Sequence, residues 1–397
     1  MTFTLVEKET VARIKVIGVG GGGGNAVNTM VESGLEGVEF VVANTDMQAL
    51  KGSRAETRLQ LGPNITRGLG AGANPEKGRE AAEESAGEIK EVLKGSDMVF
   101  ITAGLGGGTG SGAAPVIARI SKQLGILTVA VVTRPFVFEG RARAKNADRG
   151  WDELREHVDT IITIPNDRLI ALSQKNTKFI EMMKTADDVL VQAVKGITDL
   201  INLPGYINPD FADLRTIMKE TGPALMGSGQ GVGENRAKEA VKAAVDSPLL
   251  QDISIEGARG VLVNISARQD SLQMSEMTEV SARIQAEAHE DANIILGVIF
   301  DETLGDAMRV TVIATGISQS DLGLPENVKP LFTAGKKGER VAQKLPFDGD
   351  DGQEKEIPED RKRLAQQRSP VRNIFPQEKF VNEEDYETPA FIRRSES

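Results

Sequence analysis

A glycine-rich run from Thr102 to Gly112 limits what this chain can fold into more than any other stretch. It reads Thr102, Ala103, Gly104, Leu105, three glycines at 106 to 108, then Thr109, Gly110, Ser111 and Gly112. The apolar run Met98 to Ile101 precedes it and a helical pattern from Ala113 to Leu124 follows. The prediction is a strand, a turn almost without side chains, and a helix start. Glycine lets the backbone adopt positive φ and come close to a ligand, and the unpaired N–H groups of a first helical turn attract anions. Such a turn suits phosphate, with the hydroxyls of Thr109 and Ser111 as further donors. A flexible linker is the bland alternative, but linkers are not set between a buried strand and a helix.

A second glycine cluster stands near the start. Arg13 to Val19 reads as a strand that runs into glycines at 18 and 20 to 24 and then Asn25, before a helix from about Ala26 to Ser33. Val38 to Ala43 is the next strand, ending in Asn44, Thr45 and Asp46. Gly18, Gly20 and Gly23 satisfy G-x-G-x-x-G after a strand, with Asp46 where a ribose-binding acid would fall, so this opening alone reads as a dinucleotide site. A second glycine turn is more than a dinucleotide fold requires. Two such turns from one sheet could close around a single triphosphate.

Lys77 to Leu93 has helical spacing, and Leu127 to Thr133 and Asp159 to Ile164 are near-continuous apolar strands, as expected where helices cover both faces of a parallel sheet. This alternation predicts a doubly wound α/β domain, whose ligands sit beyond the strand C-terminal ends. Asn25, Asn44, Thr133, Glu139 and Asn166 fall just past predicted strands and could converge there.

At 397 residues the chain can hold two domains and a tail. Its 47 basic and 58 acidic residues give a formal charge of -11, which argues against a general nucleic-acid surface. Cysteine is absent, so disulfides and thiolate metal sites are excluded, and His157 and His289 make no metal pattern. Neither a signal peptide nor a run near the ~20 apolar residues of a membrane span is visible. The expectation is a cytoplasmic protein without direct membrane insertion.

A long helix is predicted from about Thr177 to Leu203, stopped by Pro204 and Gly205. Asp187 and Asp188 break its apolar stripe, and a carboxylate there could accept both the ring N–H and the amino N–H of guanine; an ordinary solvated face is the alternative. Asp210 and Asp213 open the next helix, either as a pair sharing one face or as an N-cap and a first-turn acid. Helices at Glu234 to Val245 and Met277 to Ala288, with strands at Gly260 to Ala267, Ile294 to Phe300 and Met308 to Ala314, predict a smaller α+β domain. The organisation expected is a flexible N-terminus (1–12), a nucleotide-binding domain (13–176), a central helix (177–203), an α+β domain (204–317), a disordered linker (318–386) and a terminal peptide (387–397). As a flexible coil of about 70 residues the linker would average roughly 45 Å end to end.

These motifs resemble, in order and over nearly the whole chain, those of FtsZ, the bacterial homologue of tubulin. The turn Gly106 to Gly112 looks like the tubulin signature, and the glycines at 20 to 24 with Asn25, the strand end Asn44 to Asp46, Phe138 to Gly140, Ile164 to Asp167 and Asn208 to Asp213 follow the same pattern. The resemblance implies a tubulin-like fold and a GTPase that assembles head to tail into filaments and forms the cytokinetic ring at mid-cell. It implies that Gly21, Gly22, Gly23, Gly24 and Asn25, with Gly108, Thr109 and Gly110, hold the phosphates of GTP or GDP. Glu139 and Arg143 would meet the ribose side, and Asn166 and Asp187 the nucleoside, with Asp187 reading guanine. Asn208, Asp210 and Asp213 would form the synergy loop that completes the next subunit's active site. Mg²⁺ would be held mainly by phosphates and water, with no metal site of the protein's own. Glu387 to Arg394 would bind a membrane tether such as the actin-like FtsA, alongside other division regulators.

Met183 departs from the family, standing where an aromatic commonly stacks on guanine, as do Pro209 and Thr388. Two other readings are a dinucleotide-dependent oxidoreductase, which leaves the second glycine turn unexplained, and a tubulin-like regulator that does not hydrolyse, which would be expected to lack Asp210 or Asp213. Deleting Glu387 to Ser397 is expected to spare polymerisation and remove tether binding in a co-sedimentation assay; a truncated protein that still binds the tether contradicts the assignment.

Overall fold

The computed structural model describes residues 12–170, 177–203, 205–219, 222–250 and 258–317. The chain divides into two units, Met1–Lys329 and Pro330–Ser397, and every described residue lies in the first. The linker and terminal peptide expected over 318–397, and the N-terminal segment through Val11, lie outside the described residues.

Among the described residues ten strands form the sheet: β1 (Ile14–Val19), β2 (Val38–Asn44), β3 (Thr57–Gln60), β4 (Met98–Gly104), β5 (Leu127–Arg134), β6 (Thr160–Pro165), β7 (Gly222–Val232), β8 (Gly260–Ala267), β9 (Asn293–Phe300) and β10 (Ala307–Thr315). Their order is β3-β2-β1-β4-β5-β6-β7-β10-β8-β9. Pairing from β3 to β6 is parallel throughout, so those strands end at one common pole. β7 joins the two halves, because Gly222 to Ala224 pair parallel with β6 while Leu225 to Val232 pair antiparallel with β10. β10 is antiparallel to β8, and β8 is parallel to β9.

Alternation explains why the first strands read as unbroken apolar runs. Met98 and Phe100 of β4 face a core shared with α1 (Gly20–Glu32) and α9 (Phe179–Asn202). Val99 and Ile101 face the opposite core under α4 (Pro75–Glu84), α5 (Ala86–Leu93), α6 (Gly108–Gln123) and α7 (Arg141–Arg155). A third core lies under α11 (Arg236–Val245) and α12 (Met274–Glu287). The remaining helices are short: α2 (Met47–Lys51), α3 (Pro63–Thr66), α8 (Asn166–Ile170) and α10 (Phe211–Met218). No described helix is long and apolar enough to cross a membrane.

Several elements depart from the sequence expectations, each for a local reason. α1 starts at Gly20 and α6 at Gly108, not at Ala26 and Ala113, so both glycine clusters are themselves helix first turns. The helix expected over Lys77 to Leu93 is two helices broken at Ser85, whose hydroxyl accepts from the Gly62 N–H and donates to the Gln60 carbonyl. β7 carries no expectation, since its sequence is rich in glycine. Those glycines have a packing purpose: Cβ atoms on Gly227, Gly229 and Gly231 would lie 2.0, 2.2 and 2.2 Å from the carbonyl oxygens of Ala244, Ala240 and Arg236. Spaced by two, they bare one face of the strand so that α11 rests on its backbone.

Gly229→Ala is therefore expected to cost about 1–3 kcal/mol by overpacking and to lower the thermal midpoint by several degrees. Gly87→Ala, where an added Cβ meets nothing within 4 Å, is the control. Equal midpoints for the two variants would refute this account of β7.

Candidate functional site

The site is assembled from backbone before any side chain takes part. α1 leaves β1 so abruptly that a Cβ on Gly18 would lie 2.3 Å from the Gly23 carbonyl oxygen, and one on Gly23 would lie 2.3 Å from that of Thr102 in β4. α6 leaves β4 in the same manner, with Gly110 placing any Cβ 2.5 Å from the Gly104 carbonyl oxygen. Gly20, at φ 72°, sits where its own Cβ would be 3.0 Å from the Gly110 N. The two helix starts thus lie side by side over the ends of β1 and β4. A Cβ on Gly21 or Gly107 would meet nothing within 4 Å, so both face open space. Both first turns present unpaired N–H groups and the positive ends of their dipoles to that space.

A cavity of about 240 Å³ adjoins them, lined by Gly20, Gly21, Gly24, Asn25, Asn28, Val42, Asn44, Gln48, Ala49, Gly52 and Ser53. None of these residues is charged. Asn28 Oδ1 accepts from the Arg54 N–H at 2.8 Å and so shapes the far wall. The stretch Gly68 to Asn74, for which the sequence reading made no prediction, folds over the cradle. Met47 N donates to the Gly68 carbonyl at 3.0 Å, Gly70 N donates to that of Thr45 at 3.1 Å, and a Cβ on Gly108 would meet Ala71 Cβ at 2.8 Å. Its glycines at 68, 70 and 72, all with positive φ, were the signal available to find it.

The other predicted residues beyond strand ends gather at the same pole. Glu139 and Arg143 pair with each other at 2.8 Å, and Glu139 Oε1 also accepts from the Phe136 N–H. Asn166, the first residue of α8, is buried and its Oδ1 has no hydrogen-bond partner, which leaves an acceptor that a bound ligand could satisfy. The Phe138 ring stands edge-on to that of Phe179, 6.2 Å between centroids, which fixes the start of α9 at this pole. Asp187 lies two turns further along α9, and burial, reinforced by the neighbouring Asp188, pushes its carboxyl up to about 6.

Asn208, Asp210 and Asp213 are elsewhere. At 24 residues α9 spans about 36 Å. Its far end is tied to the strand-start pole, where Asn202 Nδ2 donates to the Gly37 carbonyl just before β2. There α10 packs beside the first residues of β5 and β6, with Arg215 bonded to the Gly125 carbonyl and Thr160 to that of Met218. Asp210 caps α10 by accepting from the Asp213 N–H at 2.7 Å, and both aspartates are exposed. The Asn208 side chain closes back on the Leu203 carbonyl, and Ile207 pairs with Val298 of β9, so the loop is pinned to the second half of the sheet. Among the described residues no three His, Cys, Asp or Glu side chains cluster to hold a metal ion.

A parallel sheet with two glycine-led helix starts at one pole, and a long helix running to an acidic loop at the other, is the architecture of a tubulin-type nucleotide-binding fold. Comparison with known proteins agrees: residues 13–174 match the Tubulin/FtsZ family GTPase domain and residues 222–318 the C-terminal domain of the FtsZ family. The chain is 55% identical over 316 residues to the cell division protein FtsZ of Pseudomonas aeruginosa, covering 79% of this chain and 80% of that one. It is 46% identical over 395 residues to that of Buchnera aphidicola, covering 99% of each. Among solved structures, an FtsZ dimer from M. jannaschii superposes with a TM-score of 0.75 at 48% identity, over 78% of this chain and 90% of that one. CetZ2 from Haloferax volcanii, at 19% identity and a TM-score of 0.65 over 77% of this chain and 94% of that one, shares the fold. The chain belongs to the FtsZ family of cell division GTPases.

The raised Asp187 carboxyl has a sign that can be tested. Its folded-state value of about 6 exceeds the ordinary 3.8, so its contribution to stability is fully present below 3.8 and is lost as pH rises through about 6. Asp199 on the same helix is also raised to about 6, chiefly by burial, so only the difference between variant and parent isolates Asp187. Asp187→Asn is expected to be more stable than the parent at neutral pH, with the gap closing in acid. A gap in urea midpoints that stays constant across this range would contradict it.

Proposed function

We propose that this chain binds GTP across the strand-end pole and hydrolyses it when a second copy docks head to tail, presenting Asp210 and Asp213 to the pocket. The observation that carries the reading is the separation of the two poles by the length of α9, which no side chain can bridge. An FtsZ dimer among the similar solved structures supports pairing of copies. Such a contact uses different surfaces on its two sides and, where it does not close into a ring, generates a filament. In the cell this would serve formation of the cytokinetic ring at mid-cell.

Gly21 to Asn25 and Gly108 to Gly110 hold the phosphate oxygens, chiefly through the free N–H groups of the two first helical turns. Glu139 and Arg143 flank the ribose, and the unpartnered Asn166 Oδ1 takes a nucleoside donor. Asp187 accepts from the ring N–H and amino group of guanine, an interaction that offsets the cost of its burial. Met183 packs its thioether against the base in place of an aromatic ring.

Asp210 and Asp213 of the docked copy orient and polarise a water in line with the γ-phosphorus, while Asn208 holds the loop in shape. A bond forms from the water oxygen to phosphorus as the bond to the β–γ bridging oxygen breaks, and GDP leaves with that electron pair. Phosphoryl transfer depends on positioning and charge stabilisation more than on covalent help. Mg²⁺ would be held mainly by phosphate oxygens and water, where it would neutralise charge. Residues 13–176 form the nucleotide-binding domain, 177–203 the connecting helix and 204–317 the activating domain, while 387–397 docks a tether such as FtsA.

Asp213→Ala is expected to retain GTP binding and filament entry while turnover falls about a hundredfold or more. Phosphate release and sedimentation measured over a dilution series test both halves of the reading. Undiminished hydrolysis in the variant, or parental specific activity that stays flat on dilution below the assembly threshold, would refute it.

A further inference from the structure

Thr45, the residue that follows β2, is wholly buried, and its hydroxyl has one partner among the described residues, the hydroxyl of Thr109, at 2.7 Å. Thr109 is the second residue of α6 and half-buried at the cleft. Each hydroxyl has a single proton to give. Were Thr109 to donate to Thr45, the Thr45 proton would be buried with no acceptor, at a cost comparable to a lost hydrogen bond. Thr109 would then turn lone pairs towards its ligand. The opposite order satisfies every group: Thr45 donates to Thr109, and the Thr109 proton is left to point into the cleft.

We infer that Thr45 is a positioning residue that fixes the Thr109 hydroxyl as a donor towards a phosphate oxygen. The inference rests on the proposed reading that Thr109 meets the nucleotide phosphates. A phosphate oxygen only accepts, so a hydroxyl already committed to donating needs no reorientation on binding. Donation by Thr45 also polarises the Thr109 hydroxyl and strengthens its outgoing bond. Thr45 is well suited to the task because its own carbonyl accepts from both the Thr66 hydroxyl at 3.2 Å and the Gly70 N–H at 3.1 Å. Those bonds hold Thr45 in place, and they tie the Gly68 to Asn74 loop to the same point.

The test is a double-mutant cycle on GTP affinity in the full chain, measured by calorimetry with Mg²⁺ present. Thr45→Val removes the hydroxyl and keeps the shape; it is expected to weaken GTP binding by up to about tenfold, and Thr45→Ser to restore it. Thr109→Val should weaken binding at least as much, and adding Thr45→Val to it should change nothing further, since the first hydroxyl acts only through the second. Parental affinity in Thr45→Val, or effects that simply add in the double variant as a merely structural role would give, overturns the inference alone. A parent protein that binds no GTP overturns the functional reading and this inference together.

Discussion

The structure depends on backbone touching backbone where β1 and β4 turn into α1 and α6. A Cβ at Gly18, Gly23 or Gly110 would lie within 2.5 Å of a carbonyl oxygen, and the nearest atoms there are backbone, which cannot swing aside as a side chain can. This contact brings two helix first turns side by side at the same depth. Donors in a first turn are fixed by the helix and need no ordering on binding, so their alignment costs nothing when an anion arrives. Both cores serve this junction, with Phe100 and Ile101 of β4 facing opposite layers immediately before the turn.

Parallel strands then impose polarity on everything else. Because β1, β2, β4, β5 and β6 all end at the cradle, any element packed at their starts is a full strand length away, roughly 20–26 Å for six to eight residues. α9 is the rod between these poles. One end is held beside Phe138 and the other at Gly37, and its middle is buried against the sheet. A rod fixed at both ends relates the glycine-led pole to the acidic loop in a constant geometry. The Ile207 to Val298 bridge carries that geometry into the second half of the sheet.

The chain order of motifs was legible because each left a strong local signature: apolar strands bounded by glycine, and one long amphipathic stripe. Helix starts were read six and five residues too late, at Ala26 and Ala113 instead of Gly20 and Gly108, since propensity counts glycine against a helix while tertiary contact demanded it. β7 escaped for a related reason. Its alternating glycines look like breakers locally and acquire meaning only once α11 lies across them. Asn166 and Asp187 could be placed by position in the chain, but the unsatisfied Oδ1 of one and the raised carboxyl of the other are products of burial that no spacing reveals. The Thr45 to Thr109 bond joins residues 64 apart and had no sequence signal.

The cradle's neutrality follows from these constraints. A chain of formal charge -11 is a poor attractor of a triphosphate at long range, and the cavity lining beside the two helix starts contains no lysine or arginine to compensate. Attraction must therefore come at short range, from peptide N–H groups, two helix dipoles and oriented hydroxyls, each effective only within a turn or so of the helix end. Such a site discriminates by fit more than by charge, because donors fixed in the backbone cannot follow a displaced anion as a lysine side chain can. It also leaves most of the triphosphate's charge unneutralised by the subunit itself. In the proposed assembly that residual charge would repel an arriving pair of aspartates, and a counter-ion carried in with the phosphates would relieve the repulsion.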